Sequence, residues 1–408
     1  MLPGHQRIAP TIAAFILSLT LLAWGTSLAS PDAEGDPPQI EWSALYTGDA
    51  LWNVHGGLRE GSAYLDYIEV AASFDAGRAL GRGDLSLYAS AFRRNQPTFS
   101  DRYVGDAMVV SNIDASSPMQ VQEAWFDWQF AADGPGSLRM GLYDLGAEFD
   151  VLESRALFLN SAYGIGHDLA QTGLNGPSIY PLTALGARFA WAPRDRWLFK
   201  AAVVDGVPGD PEERGRSRLH LSRSEGALWI TEAKAGNRHV RAGIGYWRYT
   251  TDFTELRPAG ADGTVRSRND NAGGYVMAEF SSGAAAGTEE PLWSAFLRAG
   301  NAEDHINVFD RFLAAGVVHR SAWPRRYGSY LGFAVSEARV GDAYRELRAA
   351  DGFATESCER NVELTWRFPL GEHAAVQPDL QYVRNPGGDP LIPDAWVVGL
   401  RVELFVTR

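Results

Sequence analysis

The strongest constraint on this 408-residue chain is a hydrophobic period of two that recurs along most of its length. Ile68, Val70, Ala72 and Phe74 alternate with Tyr67, Glu69, Ala71, Ser73 and Asp75. Ala124, Phe126, Trp128 and Phe130 alternate with Glu123, Trp125, Asp127 and Gln129, and Val362, Leu364, Trp366 and Phe368 with Asn361, Glu363, Thr365 and Arg367. Val398, Leu400, Val402, Leu404 and Val406 repeat the pattern near the C-terminus. Each run reads as a strand with one apolar and one largely polar face. A soluble sandwich gives that pattern as well, with the apolar face inward.

Connection lengths separate the two cases. The candidate strands are 40–46, 64–75, 85–94, 121–131, 136–144, 186–192, 197–205, 227–234, 239–250, 273–281, 291–300, 311–319, 328–339, 360–368, 374–383 and 396–406. That makes about sixteen, an even number, as closed membrane barrels of a single chain have. The connections 47–63, 95–120, 145–185, 206–226, 251–272 and 340–359 are long. Those between them are mostly tight, as at 132–135, 193–196, 235–238 and 369–373. Such alternation puts long loops on one rim and short turns on the other, which a Greek-key sandwich has no reason to do. The predicted fold is all-β: a transmembrane antiparallel β-barrel over 40–408.

Two further features agree. Phe130, Trp191, Trp197 and Phe368 stand beside short turns, with Trp323 in a longer one, where an interfacial aromatic girdle belongs. The polar faces carry Glu123, Asp127, Arg139, Arg188, Arg241, Arg298, Arg367, Asp379, Arg401 and Glu403. A dry interior could not hold so many ionisable groups cheaply, whereas a watery lumen can. For most of them, mutual pairing that braces the wall is the preferred role.

The N-terminus says where such a barrel is sent. His5 and Arg7 precede the apolar run Ile12–Trp24, and small residues follow to Ser27-Leu28-Ala29. This is the plan of a secretory signal peptide over 1–29, followed by a linker over 30–39 rich in Pro and acidic residues. Cys358 is the single cysteine, so the exported chain is stabilised by pairing and packing rather than disulfides. Among Glu356, Glu359 and Arg360 it reads as a loop residue. A net charge of −13 and the lack of any basic tract exclude nucleic acid as a partner.

One connection stands apart. Residues 145–185 are far longer than the usual four to six or so, and they carry Leu157, Phe158, Leu159, Ile165, Ile179 and Tyr180. That is too apolar for disorder. Asp150 followed by Glu153 resembles a capping box and predicts a short helix over about 151–160; glycines 164, 166, 173 and 176 then force turns. Counted along the strand order this is the third external loop, and it is expected to fold into the lumen and narrow it. Its apolar residues would anchor it, leaving Glu148, Asn160, Ser161, Tyr163, Asp168, Gln171, Asn175 and Ser178 to face a polar solute.

Three segments carry a family resemblance: Gly141-Leu-Tyr-Asp-Leu-Gly-Ala-Glu-Phe-Asp150, Leu157-Phe-Leu-Asn-Ser-Ala-Tyr-Gly-Ile-Gly166 and Asn175-Gly-Pro-Ser-Ile-Tyr-Pro-Leu182. Val204–Asp210, Phe309–Arg311, Val376–Tyr382 and Asn385–Gly388 add to it. Together they resemble the carbohydrate-selective outer-membrane porins of Gram-negative bacteria, the OprB type, from about Trp42 to the C-terminus. The resemblance implies a sixteen-stranded barrel in the outer-membrane lipid that passes sugars, glucose-like monosaccharides above all, by facilitated diffusion. Such barrels are monomers or homotrimers and usually end on an aromatic residue, whereas here Phe405 is followed by Val406, Thr407 and Arg408.

The candidate pore and substrate-binding residues are Asp144, Glu148, Asn160, Tyr163, Asp168 and Asn175 on the loop. On the wall they are Arg188, Arg298, Arg367, Asp379 and Arg401, with Arg298, Arg367 and Arg401 expected to oppose the loop carboxylates across the lumen. The alternatives are a porin for other solutes, a soluble exported sugar-binding β-protein, and a barrel enzyme. An enzyme would need a nucleophile or activated water held by His and a carboxylate. The histidines are scattered, no His-Glu-x-x-His spacing is present, and no cofactor or metal is implied. His167-Asp168 is the only suggestive neighbour pair, and a loop hydrogen bond is the better reading of it.

Overall fold

The computed structural model describes residues 40–79, 85–95, 98–115, 118–130, 135–194, 196–209, 225–258, 266–284, 290–323 and 328–408. The expected signal peptide and linker, 1–39, lie outside the described residues. Sixteen wall strands follow in order. They are β1 Ile40–His55, β2 Gly61–Asp75, β3 Leu85–Arg94, β4 Met119–Gln129, β5 Gly136–Tyr143, β6 Ala184–Arg194, β7 Trp197–Asp205 and β8 Ala227–Gly236. The second half is β9 Val240–Tyr249, β10 Ala272–Ser281, β11 Trp293–Ala302, β12 Phe309–Ser321, β13 Ser329–Val340, β14 Cys358–Pro369, β15 Ala374–Arg384 and β16 Ala395–Thr407. Each pairs antiparallel with its chain neighbours, and β1 closes on β16 from Ser43↔Thr407 to His55↔Trp396. Closure leaves no strand edge unpaired, which the hydrocarbon of a membrane requires.

The alternation sorts side chains as the period predicts. Outward residues such as Val70, Phe126, Leu297, Phe333, Leu364 and Leu404 are exposed and apolar. Inward neighbours such as Asp127, Arg188, Glu232, Glu363 and Arg401 are buried and polar. Near the short turns, outward rings contact one another: Trp191 with Phe199, Phe130 with Phe189, and Trp323 with Trp366 and Phe368.

Three boundary expectations are corrected. β1 runs to His55, so the expected long loop 47–63 is a tight connection over 56–60. Thr47-Gly48-Asp49 looks like a turn, but Gly48 is the point where the Tyr64 ring crosses from β2, and a Cβ there would meet its hydroxyl. Cys358 opens β14 and is buried rather than sitting in a loop. The connection 303–308 between β11 and β12 is short, whereas β2–β3 and β10–β11, on the opposite rim, are longer than tight turns.

Candidate functional site

The connection between β5 and β6, residues 144–183, turns inward. Phe149, Leu152, Phe158, Tyr163, Ile165 and Leu169 share one buried cluster with the inward-facing Ile230, Trp247, Tyr275, Phe296 and Phe312 of the wall. Burying each large apolar side chain stabilises the arrangement by roughly 1.5–3 kcal/mol. Of the expected anchors, Phe158, Leu159 and Ile165 are buried, while Leu157, Ile179 and Tyr180 are half-buried. The expected helix over 151–160 is instead a 3₁₀ turn, Glu153–Leu157, with a second at Ser161–Tyr163. Asp150 makes no capping box because its backbone is left-handed, with φ of 56°, and its carboxylate is used elsewhere.

That carboxylate sits in a buried ion-pair network. Arg298 donates from Nε to Asp150 Oδ2 at 3.0 Å and also pairs with Asp168. Arg155 reaches Asp150 Oδ1 at 2.8 Å, and the Gly166 amide donates to Oδ2 at 2.8 Å. Glycine at 166 and 300 leaves room for the pair: a Cβ at the first would meet the Arg298 guanidinium, and at the second Asp168. Glu148 accepts from Arg188 Nε at 2.7 Å, Arg139 Nη1 at 2.9 Å and Tyr143 Oη at 2.7 Å. Burial alone would raise both carboxyls. The cations around them, Arg139, Arg188 and Lys200 for Glu148 and Arg298 and Arg155 for Asp150, hold them below the ordinary carboxylate range.

A second loop folds inward as well, and the sequence reading missed it. The connection between β3 and β4, described over 98–115, puts Phe99, Val104, Val110 and Ile113 into a separate cluster with Leu51, Leu65, Phe92, Val383 and Val397. Its backbone is stapled by carboxylates, one on the wall and one of its own. Glu359 takes the amides of Ala107 and Met108, both at 2.8 Å, and Asp114 takes those of Phe99 and Ser100, both at 2.8 Å. Its irregularly spaced apolar residues are the signal that could have shown it.

The two loops meet over the lumen. The Asn112 amide donates to the Leu159 carbonyl at 2.7 Å, and that of Ser161 to Val109 at 2.9 Å. Between them lies a cavity of about 310 Å³, lined by Met108, Asn112 and Asp114 on one side and Ser161, Gln171 and Tyr180 on the other. His167 also borders it, packed edge-on against Phe309 at 4.7 Å, and burial pushes its imidazole down to about 4, so the ring is neutral. It shares no hydrogen bond with Asp168, which faces Arg298 instead.

The expected solute-facing residues fall into two groups. Ser161 and Gln171 line the cavity. Glu148, Asn160, Tyr163 and Asp168 are buried and bonded to the wall: Asn160 to Gln381 at 3.1 Å and Tyr163 to Asn361 at 3.4 Å. Asp144 and Asn175 are half-buried, the first accepting from Gln122 at 2.8 Å, the second donating to the Pro208 carbonyl at 2.7 Å. Ser178 is buried and donates to the Tyr143 carbonyl at 2.6 Å. On the wall, Arg188 binds Glu148 and Asp127, Arg367 binds Glu403, and Asp379 accepts from Gln381 at 2.9 Å. Arg401 clamps Asp49 at 2.7 Å and 2.8 Å and donates to Asn112 Oδ1 at 2.7 Å. The expected field between opposed charges is therefore corrected. Asp168 and Arg298 touch, because a buried charge left facing open space is costlier than one in contact.

The comparisons with known proteins follow from this geometry. A sequence model described as "Carbohydrate-selective porin, OprB family" matches residues 59–404. Porin B of Pseudomonas aeruginosa is 21% identical over 395 residues, covering 88% of this chain and 86% of that protein. The high-pH structure of Pseudomonas putida OprB has a TM-score of 0.79 at 20% identity, over 90% of this chain and 94% of that one. The low-pH structure gives 0.57 at 16%, over 90% and 93%. The structural likenesses show the shared fold, and the match over 59–404 shows the family. The chain belongs to the carbohydrate-selective porins of the OprB family.

Proposed function

We propose that this barrel lets small neutral sugars, glucose-like monosaccharides above all, diffuse down their gradient across the outer membrane, with the two inward loops setting its narrowest point. The observation that carries this is the cavity at their seam. It presents amide, hydroxyl and aromatic groups, while the charges beside it are already engaged: Arg401 by Asp49, and Asp114 by two backbone amides. Sugar hydroxyls can replace water on such groups at little desolvation cost, and a ring face packs on Tyr180 or Met108. Its volume is at the small end of the roughly 300–1,000 Å³ range of ligand sites, which suits one ring better than a chain of them. Membership of a porin family supports a channel over the barrel-enzyme reading.

The test is liposome swelling with purified protein. Glucose is expected to enter faster than arginine or succinate of similar size; equal rates would leave only a general porin. Deleting Gly164–Gly176 should raise single-channel conductance and erase discrimination among sugars, and an unchanged conductance would place the loop outside the path. Residues 1–29 are proposed as a cleaved signal peptide, which N-terminal sequencing of the membrane-inserted protein checks.

A further inference from the structure

The outer face of the barrel carries a charge arrangement that solute passage does not use. Arg311 on β12 and Arg339 on β13 are direct cross-strand partners, and so are Arg360 on β14 and Arg384 on β15. All four point away from the lumen, since their neighbours Phe312, Ala338, Asn361 and Val383 are the buried, inward residues. Like charges directly opposite one another destabilise a sheet, and here two such pairs stand on four consecutive strands, about 4.8 Å apart. The local acids do not balance them. Glu337 pairs with Arg360. Asp342 is shared by Arg339 at 3.1 Å and Arg345 at 3.0 Å. Arg311, whose side chain is 64% exposed, has one long contact to Asp310 at 3.5 Å. Among the described residues, no carboxylate lies within ion-pair distance of Arg384.

The height of this patch on the wall identifies its environment. Arg311 is followed by Leu313 toward the short-turn rim, Arg339 is preceded by Val335, and Arg360 and Arg384 stand above Leu364 and Leu380. Those four apolar side chains are exposed and outward. The arginines thus lie at the upper edge of the apolar band, where acyl chains end and headgroups begin. Guanidinium forks match phosphate oxygens two at a time.

We propose that Arg311, Arg339, Arg360 and Arg384 form a docking site for a membrane lipid whose headgroup carries more than one phosphate, in the leaflet at the long-loop rim. Its phosphates relieve the repulsion within each opposed pair, while its acyl chains lie on Leu313, Val335, Leu364 and Leu380. A soluble anion would gain the first set of contacts but not the second.

The test uses the full-length protein, delipidated in detergent, and the double variant R311Q/R384Q. By native mass spectrometry, the wild type should retain diphosphoryl lipid A in preference to phosphatidylcholine, and the variant should retain it at least tenfold less. Equal retention by the two proteins overturns the proposal. So does inorganic pyrophosphate binding as tightly as the lipid, which would make this a site for soluble anions. Without lipid, the variant should melt no lower than the wild type, because it has lost an unfavourable juxtaposition. A clear drop in melting temperature would instead make the arginines structural props. Glucose swelling rates should be the same for both proteins.

Discussion

The two inward loops reach the same place by different means. Loop 144–183 adds buried charge to its apolar anchors: Asp150 and Asp168 on Arg298, and Glu148 on Arg139 and Arg188. Loop 98–115 is tied by an apolar cluster and by carboxylates that collect backbone amides. Charge contacts specify one register and tolerate little error, because a missing partner leaves an uncompensated buried ion. Amide-to-carboxylate staples are more forgiving, since an amide side chain keeps one acceptor. One loop is therefore a rigid jaw and the other an adjustable one.

The harshest way to break this contrast is Arg298→Met. It strips the cation from Asp168 and half the compensation from Asp150, and should destabilise the folded barrel by about 3–5 kcal/mol, read from thermal unfolding in detergent. Adding Asp168→Asn should restore part of that loss; a purely additive double variant would show the pair does not hold the loop. On the other jaw, Glu359→Gln should cost less, about 1–3 kcal/mol, and show itself as faster proteolysis within 98–115. Equal losses at the two sites would erase the distinction.

A gentler probe is pH. Glu148 and Asp150 are depressed in the folded protein, so their contribution is complete above about pH 4 and is lost only as pH falls below it. Asp106 and Asp114 run the other way. Burial raises both, helped at Asp106 by the nearby Glu359, so their ionisation costs the folded loop and acidification relieves it. As pH is lowered, hydrogen-exchange protection at Phe99 and Ser100 should rise before any is lost at Gly166. Protection lost at Gly166 by pH 5 would contradict the ion-pair account. The smallest effect is expected for Gln171→Ala, which removes a cavity amide and its single hydrogen bond to the Phe309 carbonyl at 3.1 Å but none of the buried ion pairs. Sugar block of ion current should weaken about two- to tenfold with conductance unchanged; a wider channel would show that Gln171 supports the loop.

Much of the wall was legible because membrane strands write their two faces into alternate residues. The pairing of lumen charges could be anticipated in kind, since Arg139, Arg188, Arg298, Arg367 and Arg401 cannot stay buried alone. Which acid each one meets could not. Asp168 and Arg298 are 130 residues apart, and Met108 and Glu359 251, and no local pattern encodes such distances. Loop 144–183 announced itself by length and apolar content. Loop 98–115 did not, because Phe99, Val104, Met108, Val110 and Ile113 follow no period and are diluted by Asp, Ser and Gly. The long β1 was lost to a glycine that makes space for a tyrosine from its neighbour.

The seam between β1 and β16 carries a consequence for the order of events during assembly. Arg401 grips Asp49 across 352 residues, and the same guanidinium holds Asn112, while Asp49 accepts from Ser111 at 2.7 Å. Until the final strand arrives, Asp49 lacks its cation and loop 98–115 lacks one of its fixed points. Contacts of such span form late and slowly, after the chain has met the full entropy of closing the ring. The passage is thus finished in the same step as the wall, and a barrel still open along this seam has no selective aperture with which to admit anything.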